Sequence, residues 1–305
     1  MIKKHRKSKK VFQGDIFRLT PVVVAVAVAI FAAHQVIQSR AATLAVASQA
    51  EGGTVVGNAA TVSDTNASGS SAVKFGSTGG GGGITFNQCT NPTTTIPTNP
   101  SDPQDGVTLS GYYITGDTWN FQPYPGSQQT MYICNYNNWY AMVNVNDNTH
   151  NGDVKSYPNV HKDFNNPAIS TFNTITSTFA HTAPSTGDWD YSYDVWLNDY
   201  NIELMIWTQS NGKQAHVPCC SLTASTTIDG INYGIHKSGG YIAYDMPTTM
   251  TSGTLNIKHI LNDMVSRGYI TNSATLAQID YGVETCNTNS VNTRFDVNNF
   301  SVTTN

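Results

Sequence analysis

The chain of 305 residues reads as all-β, a sandwich of two packed antiparallel sheets with one packed α-helix, and three observations predict this. Short segments rich in β-branched and aromatic side chains recur through its last two thirds. Clusters of Asn, Gly, Pro and Asp separate them. Helical spacing of apolar residues occurs once, late in the chain, and a single amphipathic helix beside many strands packs against the outer surface of a sheet.

In order, the predicted strands are Tyr112 to Thr115, Trp139 to Val145, Thr171 to Phe179, Tyr191 to Leu197, Ile202 to Thr208, Tyr241 to Met246, Ala277 to Glu284 and Phe295 to Thr303. The helix is predicted from Leu255 to Arg267, where Leu255, Ile257, Ile260, Leu261, Met264 and Val265 recur on one face and Gly268 follows as a stop. Before this region the chain changes character. Lys3, Lys4, Arg6, Lys7, Lys9, Lys10 and Arg18 precede the apolar run Val22 to Ala33, so residues 1–40 read as an export signal or a retained N-terminal membrane anchor. Residues 41–86 are Ala, Ser, Thr, Gly, Asn and Val with little to bury, a low-complexity flexible linker. Residues 87–305 suffice for one sizeable domain. The protein is therefore expected outside the cell, secreted or anchored at the cell surface.

Charged residues make up 12% of the chain, about half the usual share. From Cys89 to Asn305 seven Lys and Arg face seventeen Asp and Glu, a balance of −10 with His neutral. Such a domain, acidic and rich in aromatics, is a poor nucleic-acid binder and suits a neutral polysaccharide. The chain has only three glutamates, and Glu203 and Glu284 alone follow the glycine run 79–83. Each sits in an apolar strand-like segment with almost no Lys or Arg nearby to pair with. Alternation along a strand puts Ile202, Leu204 and Ile206 on a core face and Glu203, Met205 and Trp207 on the other. Glu284 shares its face with Asp280 and with Gly282, which is expected to leave room beside it, and Ser192, Asp194 and Trp196 form a third such row. Two carboxylates held on rigid strands are what acid/base cleavage of a glycosidic bond requires.

These segments resemble glycoside hydrolase family 12, the small endoglucanases. Glu203-Leu204-Met205-Ile206-Trp207 is similar to the strand bearing that family's nucleophile, and Tyr193-Asp194 to its buried supporting aspartate. Tyr281-Gly282-Val283-Glu284 is similar to its acid/base strand, Asp153 to Asn159 to a recurrent stretch, and Asp117-Thr118-Trp119 to a segment with a substrate-stacking tryptophan. Thr285-Cys286-Asn287 departs from the Pro and Gly pattern that often follows the acid/base. The resemblance implies a β-jelly roll with a concave substrate cleft, a retaining mechanism with Glu203 as nucleophile, Glu284 as acid/base and Asp194 in support, a β-glucan substrate, and no metal or cofactor. Trp119, Asn138, Trp139, Met205 and Trp207 are the candidate sugar contacts. A monomer is expected. A non-catalytic carbohydrate-binding jelly roll would keep the aromatics without needing paired glutamates.

Among the cysteines, the resemblance implies a Cys89–Cys134 bridge, and Cys219, Cys220 and Cys286 leave open either a vicinal pair or a bridge to Cys286. Asp147 to Gly152 begins like a calcium loop, but Pro158 stands where its closing glutamate belongs. Limited proteolysis is expected to remove the segment before Cys89 and leave Cys89 to Asn305 intact and active; loss of activity on trimming would show that the linker packs onto the domain.

Overall fold

The computed structural model describes residues 86–147, 151–212 and 220–305, and the backbone of two strands further upstream. The chain divides into two compact units, residues 1–84 and 85–305. In the first, β1 (Ala59–Ser63) pairs antiparallel with β2 (Ser71–Phe75), within the span read as a linker. The expected export signal or anchor lies outside the described residues. Among those described, no helix is long and apolar enough to cross a membrane.

The second unit is a sandwich of two sheets. Its strands are β3 (Thr94–Pro97), β4 (Gly106–Leu109), β5 (Tyr112–Thr115), β6 (Gln128–Asn135), β7 (Asn138–Asn144), β8 (Asn159–Asp163), β9 (Ile175–Thr182), β10 (Asp188–Leu197), β11 (Ile202–Asn211), β12 (Leu222–Ile228), β13 (Ile231–Ser238), β14 (Tyr241–Asp245), β15 (Ser252–Asn256), β16 (Leu276–Asn287) and β17 (Thr293–Thr304). Nine form one sheet in the order β12-β13-β14-β11-β10-β16-β8-β5-β4, and six form the other, β15-β9-β17-β7-β6-β3. The larger sheet departs from the expected antiparallel pattern once, where β14 lies parallel to β11. After β11 the chain crosses to the sheet edge at β12 and returns through two antiparallel pairings. Two reversals restore the direction of β12, so β14 arrives parallel.

Alternation drives the packing. Tyr191, Tyr193, Val195 and Leu197 of β10, Leu204 and Ile206 of β11 and Ile279, Tyr281 and Val283 of β16 join one apolar core with Trp139, Phe179, Phe295 and Phe300 of the other sheet. Full burial of side chains this large stabilises by about 1.5–3 kcal/mol each. One polar cluster carried inside is paired: the His181 ring contacts the Tyr281 hydroxyl at 2.6 Å and Gln209 Oε1 at 2.7 Å. Burial pushes His181 down to about 4, so the ring is neutral at physiological pH.

The helix α1 (Ile257–Ser266) starts where Asn256 Oδ1 accepts from the His259 N–H at 3.3 Å. It ends at Arg267, before Gly268 with φ +70°, a left-handed position that favours glycine. Its buried face, Ile257, Ile260, Leu261 and Met264, belongs to the same apolar core. β15 leads straight into it, and the Tyr244 hydroxyl of β14 donates to Asp263 of the helix at 2.7 Å, so the helix packs against the larger sheet. Cys89 and Cys134 form a disulfide with Cα atoms 5.6 Å apart, tying the start of the domain to β6. Cys220 is disulfide-bonded, Cys219 lies outside the described residues, and Cys286 remains a buried thiol, so the bridge to β16 is not made.

Lys155 explains the calcium-like run. Its side chain has no exposure and its Nζ lies 2.9 Å from Asp147 Oδ2. The same ammonium donates to Asn151 Oδ1 and to the Asp153 carbonyl, both at 2.6 Å, and sits 4.4 Å from the centre of the Tyr124 ring. An ammonium thus organises the oxygens of the Asp147-to-Asp153 segment. Removing one partner of a buried ion pair costs about 3–5 kcal/mol. Lys155→Met is therefore expected to lower unfolding stability by that order, read from the midpoint of a guanidinium titration; an unchanged midpoint would contradict the organising role.

Candidate active site

Three neighbouring strands build the site. In register, Asp194 of β10 lies between Met205 of β11 and Asp280 of β16, Trp196 lies opposite Glu203, and Asp190 lies opposite Glu284. Because Tyr191, Tyr193 and Val195 point into the core, Asp190, Ser192, Asp194 and Trp196 point away from it, and so do Glu203 and Glu284 on either side. Each glutamate is half-buried. None of the five ion pairs among the described residues involves either one.

Gly282 is fixed by a close approach rather than by room for a ligand. A Cβ there would stand 2.2 Å from the Pro158 carbonyl oxygen and 2.8 Å from Asn159 Cα. The space read from the sequence as lying beside Glu284 is filled by the backbone entering β8. This segment also holds Glu284 from the far side. The Lys155 N–H donates to the Thr285 carbonyl at 2.8 Å, the Thr285 N–H to the Ser156 carbonyl at 2.9 Å, and the two hydroxyls meet at 2.6 Å.

Burial, with no ion-pair partner among the described residues, governs the electrostatics. It pushes the Glu203 carboxyl up to about 7. It does the same to Glu284, where the Glu203 charge adds to the rise and a hydrogen bond with Asp190 opposes it. The register offsets the two glutamates by six positions along β10, and they nonetheless feel each other's charge. Asp194 is raised well above the usual carboxylate range, first by burial and then by Glu203, Asp280 and Glu284. Asp280 is raised by burial and by Asp117, Asp163 and Glu203. Asp117 is pushed up to about 6 by burial, against a bond from Gln104.

A pocket of about 530 Å³ opens on this face beside Asp194 and Trp196. Asp117, Tyr157, Asn159, Tyr200 and Asp280 line it among others. It includes neither glutamate but adjoins Glu203, whose register partner is Trp196. The five expected sugar contacts scatter. Trp119 is 55% exposed, and the turn that carries it is tied to the Lys155 segment through Asn120. Met205 and Trp207 lie on the face of Glu203 but are 2% exposed, packed with Ala243 and Tyr241; the Tyr241 hydroxyl donates to Met205 Sδ at 3.1 Å. They form floor beneath Tyr241. Trp139 is a correction: it is fully buried in the core from the six-stranded sheet. Asn138, its neighbour, consequently points to the outer face of that sheet, away from the glutamates. Sequence reasoning missed Asp190 and Tyr241.

No family profile matches the sequence. No curated protein matches it either. Solved structures do. The chain is similar to the xyloglucanase domain of NopAA, a type three effector from Sinorhizobium fredii solved with cellobiose, at 26% identity and a TM-score of 0.62, over 70% of this chain and 100% of that one. The chain has the fold of glycoside hydrolase family 12. The family 12 xyloglucanase from Bacillus licheniformis aligns over the same shares at 19% identity and a TM-score of 0.61. Endoglucanase cel12A from Rhodothermus marinus aligns at 21% and 0.60, over 70% of this chain and 99% of that one. The jelly roll that the sequence resemblance implied is the architecture found.

The raised carboxyls of this family 12 fold make stability depend on pH with a definite sign. An unfolded chain releases these protons in the ordinary carboxylate range, whereas the folded domain holds those of Glu203 and Glu284 to about 7. Between those limits the folded state binds more protons, so its stability falls as pH rises. Calorimetry is expected to show a Tm several degrees higher near pH 5 than near pH 8, with the slope flattened in Asp194→Asn; a Tm that rises across this window would contradict it.

Proposed function

We propose that the domain is a retaining endo-β-1,4-glucanase, with internal bonds of cellulose-like or mixed-linkage glucans as substrate. The observation that carries this reading is the pair of glutamates on β11 and β16, facing the same way from either side of β10, within each other's field and without a cation. Neighbouring structures of the same fold include an endoglucanase and xyloglucanases. In the first step a carboxylate oxygen of Glu203 attacks the anomeric carbon while Glu284 protonates the departing glycosidic oxygen, leaving a glycosyl ester. In the second, Glu284 takes a proton from water, whose oxygen attacks the same carbon and releases Glu203. Asp194, adjoining Glu203 and raised enough to carry a proton, donates to the nucleophile and holds its orientation. Retention by this route requires the two carboxyls about 5–5.5 Å apart.

Xyloglucan is the second reading. It is favoured by the pocket beside Trp196, roomy enough for a branched unit, and by the xyloglucanases among the neighbours. The amino-terminal 40 residues fit export, and residues 41–86 a linker, so the site would work outside the cell.

Reducing-sugar release from barley glucan, carboxymethylcellulose and xyloglucan, measured side by side, ranks the substrates; no release from any of them would leave the binding-module reading. Glu203→Gln is expected to abolish turnover with the fold intact, and a 2-fluoroglycoside inactivator to label the peptide containing Glu203. Glu284→Ala is expected to lose several orders of magnitude on natural glucans yet keep fast glycosylation by an activated aryl glycoside. Azide should then restore turnover and give a β-glycosyl azide; an α-configured product would reverse the two roles.

A further inference from the structure

Glu284 has a partner that the two-glutamate mechanism does not use. Asp190 lies directly opposite it in the β10–β16 register and has no solvent exposure. Cross-strand partners stand with Cβ atoms about 4.5–5.5 Å apart, so the register brings the two carboxyls side by side. Neither oxygen of Asp190 receives an N–H or hydroxyl bond from any other group, although the Ser192 hydroxyl is close enough to favour its ionised form. Two carboxyls can bond only through a proton carried by one of them. The groups facing the pair from other elements are Glu203 on β11, Asp245 and Tyr241 on β14, Asp194 on β10 and Tyr157 ahead of β8. Among the described residues they include no lysine or arginine, so the pair is surrounded mainly by acids and phenols.

We propose that Asp190 and Glu284 hold one proton in common, and that Asp190 is thereby a positioning residue that sets the pH range over which Glu284 donates. The role of Glu284 as acid rests on the function proposed above; the shared proton does not. Asp190 carries the proton more firmly, because burial raises it well above the usual carboxylate range and the Glu284 charge adds to the rise. Its O–H donates to Glu284 and opposes the rise there. To act as acid Glu284 carries a second proton on its outward oxygen; when it hands that proton to a departing oxygen, the new carboxylate is met at once by the Asp190 O–H, and the shared proton stays in place. When Glu284 recovers a proton from water, the original arrangement returns.

The three glutamates of the chain, Glu51, Glu203 and Glu284, permit a direct test. Labelling glutamate with ¹³C at the side-chain carboxyl gives three resonances, assigned through Glu203→Gln and Glu284→Gln and titrated without substrate. If the Asp190 O–H stabilises the Glu284 carboxylate, the Glu284 midpoint should rise by about one pH unit in Asp190→Ala. It should rise less in Asp190→Asn, whose amide N–H is the weaker donor. The nearly isosteric Asn variant keeps the test open if the Ala variant fails to fold. An unchanged midpoint in a folded variant overturns the proposal, and a lowered one shows that Asp190 is ionised and repels Glu284. The alkaline limb of kcat/KM should move with the midpoint. A limb that stays fixed while the resonance moves would remove Asp190 from control of the reaction and Glu284 from the role of acid, leaving the shared proton itself established.

Discussion

The enforced alternation of β10 is the constraint on which the rest depends. This strand is paired along its length on both sides, by β11 and β16, and its inward side chains are aromatic or aliphatic and completely buried. A slip of one residue would drive Asp190 and Asp194 into that core. The cost of burying unpaired charges there exceeds any local preference of the chain. Fixing β10 fixes the two flanking strands, and with them the direction in which each glutamate points.

Packing carboxyls together on one face opposes stability at neutral pH, and the fold tolerates this because the opposite face is so apolar. The carboxyls answer by retaining protons. A group that is neutral in one state and charged in another can serve as acid, base or nucleophile, whereas an ordinary exposed carboxylate stays ionised. The same burial that weakens the domain supplies the chemistry.

The central strands were legible in the sequence because each alternates β-branched or aromatic residues with polar ones. Glu203 and Glu284 stood out for the same reason. Strands such as β8, Asn159-Val160-His161-Lys162-Asp163, and β15, Ser252-Gly253-Thr254-Leu255-Asn256, were not, since their pairing is imposed by neighbours rather than by their own composition. The segment read as a strand from Thr171 opens with a 3₁₀ turn, Ile169–Thr171, and becomes strand only at Ile175. Asp190 escaped because the predicted strand began at Tyr191, three residues after β10 starts; carrying the alternation back would have placed it beside Ser192 and Asp194. Trp139 and Asn138 were misplaced because nothing local distinguishes one sheet of a sandwich from the other. Gly282 was recognised as small, but the backbone that occupies its space comes from more than a hundred residues away in the chain.

Lys155 stands where several of these threads meet. Its own backbone binds the turn of Trp119 on one side and the strand of Glu284 on the other, while its ammonium gathers the loop around it. A mobile ion in that position would come and go with its concentration outside, and its hold would vary with it. A cation covalently attached to the chain has no such equilibrium. Sealed from solvent, it is also largely beyond the reach of the ionic atmosphere that weakens surface pairs. The frame around the strand of Glu284 is therefore indifferent to the mineral content of its surroundings.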